Sequence, residues 1–311
     1  MKFYGNKIHC GSYACLNVIK DSSIDASLFE ASTATAFGIK HYKSQNFDRL
    51  LTTLYDPNKG LDEALRLWGY TVLKQHFRSA QELIQYLKET LPVKKMAILG
   101  PIDMGKLRYQ PVPDIVNRMD HYIVLESYSD SQILCIDSEG FYHYLIDYDQ
   151  MENWISIDDI PEAENRVTLR YIDKTSDYSR AKIIHHTVIR ASHHLNEAEQ
   201  IGQGSNAIYQ CCRFLQEQDC FSWKLSFLYD LQYLKQRKSL FQWFLCELQK
   251  LHTNLPIDEV KSLISSQEIL LGQMYFALRW ENRLAHQELN RMGDLERELS
   301  KAMNFVLHSF R

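Results

Sequence analysis

The feature that most constrains the fold is a change of hydrophobic period near residues 172–179. Beyond about Asp177 the apolar residues recur at helical spacing, as in Ile183, Ile184, Val188 and Ile189 and again in Leu225, Leu228, Leu231 and Leu234. Before that point short strand-like runs predominate. A chain that separates its strands from most of its helices in this way belongs to the α+β class. At 311 residues it also exceeds the usual size of one hydrophobic core. The expected organisation is therefore an α+β domain over 1–175 and an all-helical domain over 176–311.

Within the first part, the stretch His9 to Ile19 places a cysteine at the mouth of an apolar helical pattern, Ile24 to Phe47 is a mixed apolar and small-residue segment, and Leu61 to Trp68 has the spacing of a short helix. Tyr70-Thr71-Val72-Leu73 and Lys95 to Gly100 read as strands. Between them Ser79-Ala80-Gln81-Glu82 forms a capping-box pattern that opens a helix from Gln81 to Leu91. Gly100 to Asp120, with Pro101, Gly105, Pro111 and Pro113, reads as a loop. Asp120 to Asp137 reads as two strands joined by a polar turn, and strand-like runs recur at Phe141–Ile146 and Arg166–Tyr171. The acidic stretch from Asp158 to Glu164 between these last two runs is a solvated loop.

Charge and cysteine content narrow the function classes. A net charge of −4, with no dense basic stretch, opposes general nucleic-acid binding. The seven cysteines lack a regular spacing and include the adjacent Cys211-Cys212, so a reducing cytoplasm is expected rather than a disulfide framework. The N-terminal residues lack the apolar core of a signal peptide, and no apolar run approaches the roughly 18 residues of a membrane span. The long helical tail is compatible with a homodimer or with packing inside one domain.

The chemistry centres on His9-Cys10-Gly11-Ser12. Cys10 lies at the mouth of the first helix, where unpaired N–H groups and the positive end of the helix dipole favour a thiolate. Gly11 and Ser12 leave no bulk after the thiol and are candidate substrate-binding positions. Cys15 lies inside the helix and is expected in the core. His121 opens one strand and Asp137 closes the next. In an antiparallel pair such positions face each other, so the carboxylate can orient and stabilise the imidazole. Glu139 is the substitute if the register slips by two, and Asp120 and Glu126 are weaker candidates. Cys10, His121 and Asp137 thus form a candidate catalytic triad.

Other signals are discounted. The pairs His185-His186 and His193-His194 stand seven to nine residues apart, unlike the three- or four-residue spacing of helical metal ligands, so no metal is expected. Cys211, Cys212 and Cys220 lack zinc-site spacing, and Gly202-x-Gly204 lacks the context of a phosphate loop. Lys235, Arg237, Lys238, Arg279, Arg283 and Arg291 are read as solvated helix faces, with docking of an acidic partner as the alternative. Trp223, Phe227, Trp243, Phe244, Tyr275, Phe276 and Trp280 are read as helical core, with a lipid or acyl tunnel as the alternative.

The chain resembles the papain-like cysteine peptidase superfamily and, within it, the butirosin biosynthesis protein H family. The resemblance rests on Gly5, His9-Cys10 with Ser12, Leu107-Arg108-Tyr109, Asp120-His121-Tyr122, Asp137, Gly204 to Ile208, and Phe241 to Leu245. It implies a papain-like fold followed by a helical domain. It also implies an acyltransferase that takes an acyl group from an acyl carrier protein or pantetheine thioester, holds it on Cys10, and delivers it to an amine in secondary-metabolite biosynthesis. The phosphopantetheine arm would arrive with the substrate, and no cofactor of the protein's own is implied. No Gln precedes Cys10 as the peptidase pattern requires, which leaves Asn6 as the side-chain donor of the oxyanion hole beside the Cys10 amide. Tyr109 would shape the acyl pocket. Two alternatives stay open: a peptidase or thioester hydrolase with the same triad, and a non-catalytic binding module for a carrier protein or biosynthetic partner.

Overall fold

The computed structural model describes residues 9–41, 50–90, 96–107, 109, 119–129, 131–138, 141–154, 166–217, 220–283 and 286–310. The chain is α+β and forms two compact units, Met1–Phe29 with Leu61–Tyr178, and Glu30–Gly60 with Ser179–Arg311.

In the first unit six strands form one antiparallel sheet. They are β3 (Tyr70–Phe77), β4 (Ala97–Asp103), β5 (Asp120–Tyr128), β6 (Gln132–Asp137), β7 (Phe141–Asp147) and β8 (Val167–Lys174), in the order β3-β8-β4-β5-β6-β7. β4 is buried along its whole length, from the apolar Ala97-Ile98-Leu99 to Asp103 at its end, whereas the edge strand β3 exposes Thr71, Leu73 and His76. Helix α1 (Cys10–Ile19) packs on β4, β5, β6 and β8. Helices α4 (Ala80–Thr90) and α5 (Tyr148–Trp154) also belong to this unit. The Ser79 hydroxyl accepts from the Glu82 amide at 3.2 Å and caps α4 as the capping-box pattern predicts.

The predicted loop from Gly100 begins three residues too early. β4 runs on to Asp103, and a 3₁₀ turn (Met104–Lys106) follows, capped by Asp103 Oδ1 accepting from the Gly105 amide at 2.9 Å. Proline signalled a strand end. Here Pro101 instead occupies a bulge, where the β4–β5 register shifts between Leu99↔Ile123 and Ile102↔His121, and a bulge tolerates a residue without a donor. Gly100 beside it has no room for a side chain, since a Cβ would lie 2.5 Å from the Tyr122 ring and 2.7 Å from the His121 carbonyl oxygen.

In the second unit α6 (Arg180–Gln200), α7 (Ser205–Glu217), α8 (Cys220–Leu251), α9 (Asp258–Trp280) and α10 (His286–Phe310) pack with a two-stranded sheet, β1 (Ile39–His41) and β2 (Leu51–Thr53). The boundary expected near residues 172–179 falls between Tyr178 and Ser179, but the second unit is neither continuous nor all-helical, because residues 30–60 belong to it. The chain crosses from the first unit to the second within α2 (Ala26–Ser32) and returns within α3 (Pro57–Leu67). The intervening residues join the helices for physical reasons. Ile39, Leu50 and Leu51 enter the apolar core of α7, α8 and α9, and the buried Asp230 carboxylate accepts from the Leu50 and Leu51 amides at 2.8 and 3.0 Å. The Arg190 guanidinium donates to the Ser32 and Thr33 carbonyls.

Two expectations for the helices are also corrected. Arg237 and Lys238 are buried, paired with Glu30 and Glu296, while Lys235, Arg279, Arg283 and Arg291 are exposed. Phe227 and Phe244 are core residues and Trp223 and Tyr275 pack on the core. Phe276 and Trp280, however, are 55 % and 71 % exposed, one turn apart on the outer face of α9. Among the described residues no helix is long and apolar enough to cross a membrane.

Candidate active site

Helix α1 starts at Cys10 because His9 caps it. His9 is extended, with φ −135° and ψ 122°, and its Nδ1 accepts from the Gly11 amide at 3.2 Å. Histidine is outside the usual N-cap set of Ser, Thr, Asp and Asn, so residue type alone does not signal this role. The helix ends at Lys20 in the left-handed conformation, whose amide donates to the Leu16 carbonyl at 3.0 Å. Cys10 is half-buried at the first helical position, followed by a fully buried run from Gly11 to Asn17. Its thiol therefore sits where the helix dipole and the first-turn amides favour a negative charge.

Gly11 is small for a reason other than access. A Cβ there would lie 2.6 Å from Leu61 Cδ1 and 3.0 Å from His9 Cε1, so the glycine lets α1 pack closely. Ser12 is likewise buried, and its hydroxyl has no hydrogen-bond partner among the described residues. Cys15 is core, as expected.

His121 and Asp137 meet, though not as directly opposed residues. In the β5–β6 ladder Asp137 is opposite Ile123, and His121 lies two residues earlier on the same face. This diagonal relation still brings long side chains into reach. His121 Nε2 lies 2.9 Å from Asp137 Oδ1, and both side chains are only 1 % exposed. Burial opposes a charged imidazole, but the charges of Asp137 and Cys10 and the hydrogen bonds to both outweigh it and hold the His121 pKa well above its ordinary value. With Nε2 directed at Asp137, Nδ1 is the nitrogen left for Cys10. The Cys10 sulfur also contacts the Asp120 carbonyl oxygen at 3.9 Å.

The other Asp137 oxygen is occupied as well. The Tyr109 hydroxyl donates to Oδ2 at 2.5 Å, and the Tyr109 ring packs on Tyr144 with centroids 4.6 Å apart. Burial and the Asp137 charge push the Tyr109 pKa far above its ordinary value, so the phenol remains a donor. Tyr109 was expected to shape an acyl pocket; its polar end is instead committed to the carboxylate. Cys135 shows the opposite fate for a thiol in the same neighbourhood. Burial and the charge of Asp137 raise its pKa, leaving a protonated core residue.

The weaker carboxylate candidates have other partners. Glu126 pairs with His143 at 2.9 Å and Lys20 at 3.7 Å, and Asp120 is represented at Cys10 by its backbone oxygen. Glu139, Gly5, Asn6 and Arg108 lie outside the described residues, as does the Cys220 side chain. Among the described residues one group, His193, His194 and Glu197, brings three potential metal ligands within 4.8 Å of one another. Comparing histidine pairs alone missed Glu197. Glu197 lies 3.6 Å from His193 and 3.4 Å from His194, and burial together with the Arg190 charge lowers the His194 pKa.

A nucleophile at a helix N-terminus, a base in reach and a carboxylate orienting that base are the parts needed for covalent chemistry at an acyl carbon. No protein-family model matches the chain. It is 26 % identical over 158 residues to the uncharacterized protein YobF of Bacillus subtilis (strain 168), a match covering half of this chain and half of that protein.

Proposed function

We propose that this chain is a cysteine-nucleophile acyltransferase with a papain-like first unit, moving an acyl group from a carrier-protein or pantetheine thioester through Cys10 to an amine of a secondary-metabolite pathway. The observation that supports this reading most directly is the buried 2.9 Å His121–Asp137 pair whose imidazole also interacts with Cys10. In the first step the Cys10 thiolate attacks the thioester carbonyl, the bond to the donor sulfur breaks, and the departing thiolate takes the proton from the His121 imidazolium. In the second step an amine attacks the Cys10 thioester while His121 takes its proton, and Cys10 leaves as thiolate. Asp137 keeps the imidazole oriented through both. The first-turn amides of α1, that of Cys10 among them, serve the developing oxyanion.

Hydrolysis uses the same groups with water as acceptor.

The test is incubation of the whole chain with a panel of acyl-N-acetylcysteamine thioesters, followed by intact-protein and peptide mass spectrometry. An acyl adduct on Cys10 is expected, absent in Cys10→Ala, and discharged faster by amines than by buffer alone. Discharge by water as fast as by any amine replaces transferase with hydrolase. If no thioester acylates the protein while iodoacetamide still alkylates Cys10, the acyl-transfer reading is wrong.

A further inference from the structure

We infer that Tyr109 is a positioning residue of the Cys10 site, holding the Asp137 carboxylate by its Oδ2 so that Oδ1 is kept for His121. The inference rests on the reading of Cys10, His121 and Asp137 as a working triad and adds a fourth member, reached from outside the β5–β6 pair. Asp137 is 1 % exposed, so each of its oxygens must find its donor within the protein. One is His121 Nε2 at 2.9 Å and the other is the Tyr109 hydroxyl at 2.5 Å. With both oxygens bound, the plane of the carboxylate is fixed, and the imidazole it faces is fixed in turn.

The phenol also sets the charge of the pair. A hydroxyl that donates to a carboxylate favours the ionised form. Without it the carboxylate takes up a proton more readily, loses its hold on the imidazolium, and the thiolate on Cys10 is lost at a higher pH. Tyr109 is itself steadied by its ring, packed on Tyr144 of β7. A phenylalanine at 109 retains that packing and removes only the hydroxyl.

The experiment is the pH dependence of iodoacetamide alkylation at Cys10 in the wild type, Tyr109→Phe, Asp137→Ala, the double variant and His121→Ala, with the melting temperature of each. This readout needs no acyl donor, so it stands whether or not acyl transfer is found. For Tyr109→Phe we expect the acidic limb of the profile to move up by about one pH unit, the scale of one lost hydrogen bond to a carboxylate. A melting temperature near that of the wild type then separates this effect from loss of fold. In the Asp137→Ala background the same substitution should have no further effect, since the group it acts through is gone. If the Tyr109→Phe profile superimposes on the wild type while His121→Ala shifts it, the positioning role is overturned and the triad survives. An effect of Tyr109→Phe that persists undiminished in Asp137→Ala overturns it equally. If His121→Ala leaves the profile unchanged, triad and positioning role fall together.

Discussion

Two regions of the molecule bury charge, and they do so to opposite ends. In the second unit Arg237, 2 % exposed, meets Glu30, with Tyr233 and Thr35 hydroxyls alongside, and Lys238 meets Glu296, which Gln267 also engages. In the first unit His121 meets Asp137 beside Cys10. Solvent is excluded from both. The difference lies in the cation: a guanidinium stays charged at every accessible pH, whereas an imidazole can pass its proton to a neighbouring group. The first arrangement can fasten α2 to α8 within the second unit and do nothing else. The second can move a proton.

The sharpest way to break this comparison is to remove one partner of the permanent pair. Glu30→Gln leaves the Arg237 guanidinium buried without its counter-ion, at an expected cost of about 3–5 kcal/mol. The cost is read as the shift of the urea unfolding midpoint. The pH profile of Cys10 alkylation should not move. A loss below about 1 kcal/mol would show that the pair is better hydrated than its burial implies, and a changed alkylation profile would show that the two networks are not independent.

The sequence disclosed one of these networks and concealed the other, for reasons that follow from chain separation. His121 and Asp137 lie on consecutive strands joined by a short turn, so their pairing needed only local inference, whereas Cys10 was set beside them by its place at a helix start and by the family resemblance, not by any local pattern. Glu30 and Arg237 are 207 residues apart. Charged residues on an amphipathic helix are by default solvent-facing, and nothing near Arg237 or Lys238 signals a distant carboxylate. Residues 30–60 were illegible for the same reason. Their apolar residues, Ile39, Leu50 and Leu51, show no helical or alternating period of their own, and only the groove between later helices gives them a place. Tyr109 was noticed as a motif residue but assigned to a pocket, because its partnership with Asp137 depends on how the chain returns from β4 to β5. The diagonal register of His121 and Asp137 was likewise beyond a reading that assumed direct opposition.

A second prediction sharpens the contrast through pH. The His121 pKa is raised in the folded state above its unfolded value of about 6.5. The stabilisation linked to its protonation is therefore complete below that value and is lost as pH rises through the folded pKa. The difference in melting temperature between the wild type and His121→Ala should accordingly narrow as pH is raised from about 6. Thermal unfolding in a series of buffers measures it. A difference that stays constant or widens with pH contradicts the charged imidazole. The Glu30→Gln difference, by contrast, should be flat over the same range, because the Arg237 guanidinium stays charged throughout it.

The smallest expected effect comes from a pair that shares its chemistry with Glu30–Arg237 but not its burial. Glu247 accepts from Arg180 at 2.8 Å and also pairs with Lys250, and these side chains are 11 %, 44 % and 69 % exposed. Partial burial works to raise the Glu247 pKa, but the hydrogen bonds and charges of Lys250 and Arg180 prevail and lower it. Its stabilisation is present above the unfolded carboxylate value of about 4.3 and is lost as pH falls below it. Because water reaches the two cations, Arg180→Ala should cost no more than about 1 kcal/mol, and less at 1 M salt. Urea unfolding at low and high ionic strength checks both statements. Arg180 and Arg237 are the same residue type facing the same kind of carboxylate, so solvent access is the main variable that separates them. If Arg180→Ala proves as costly as Glu30→Gln and insensitive to salt, burial does not control the strength of these pairs, and the water-excluded setting of His121 loses its claim to be what strengthens its pairing with Asp137.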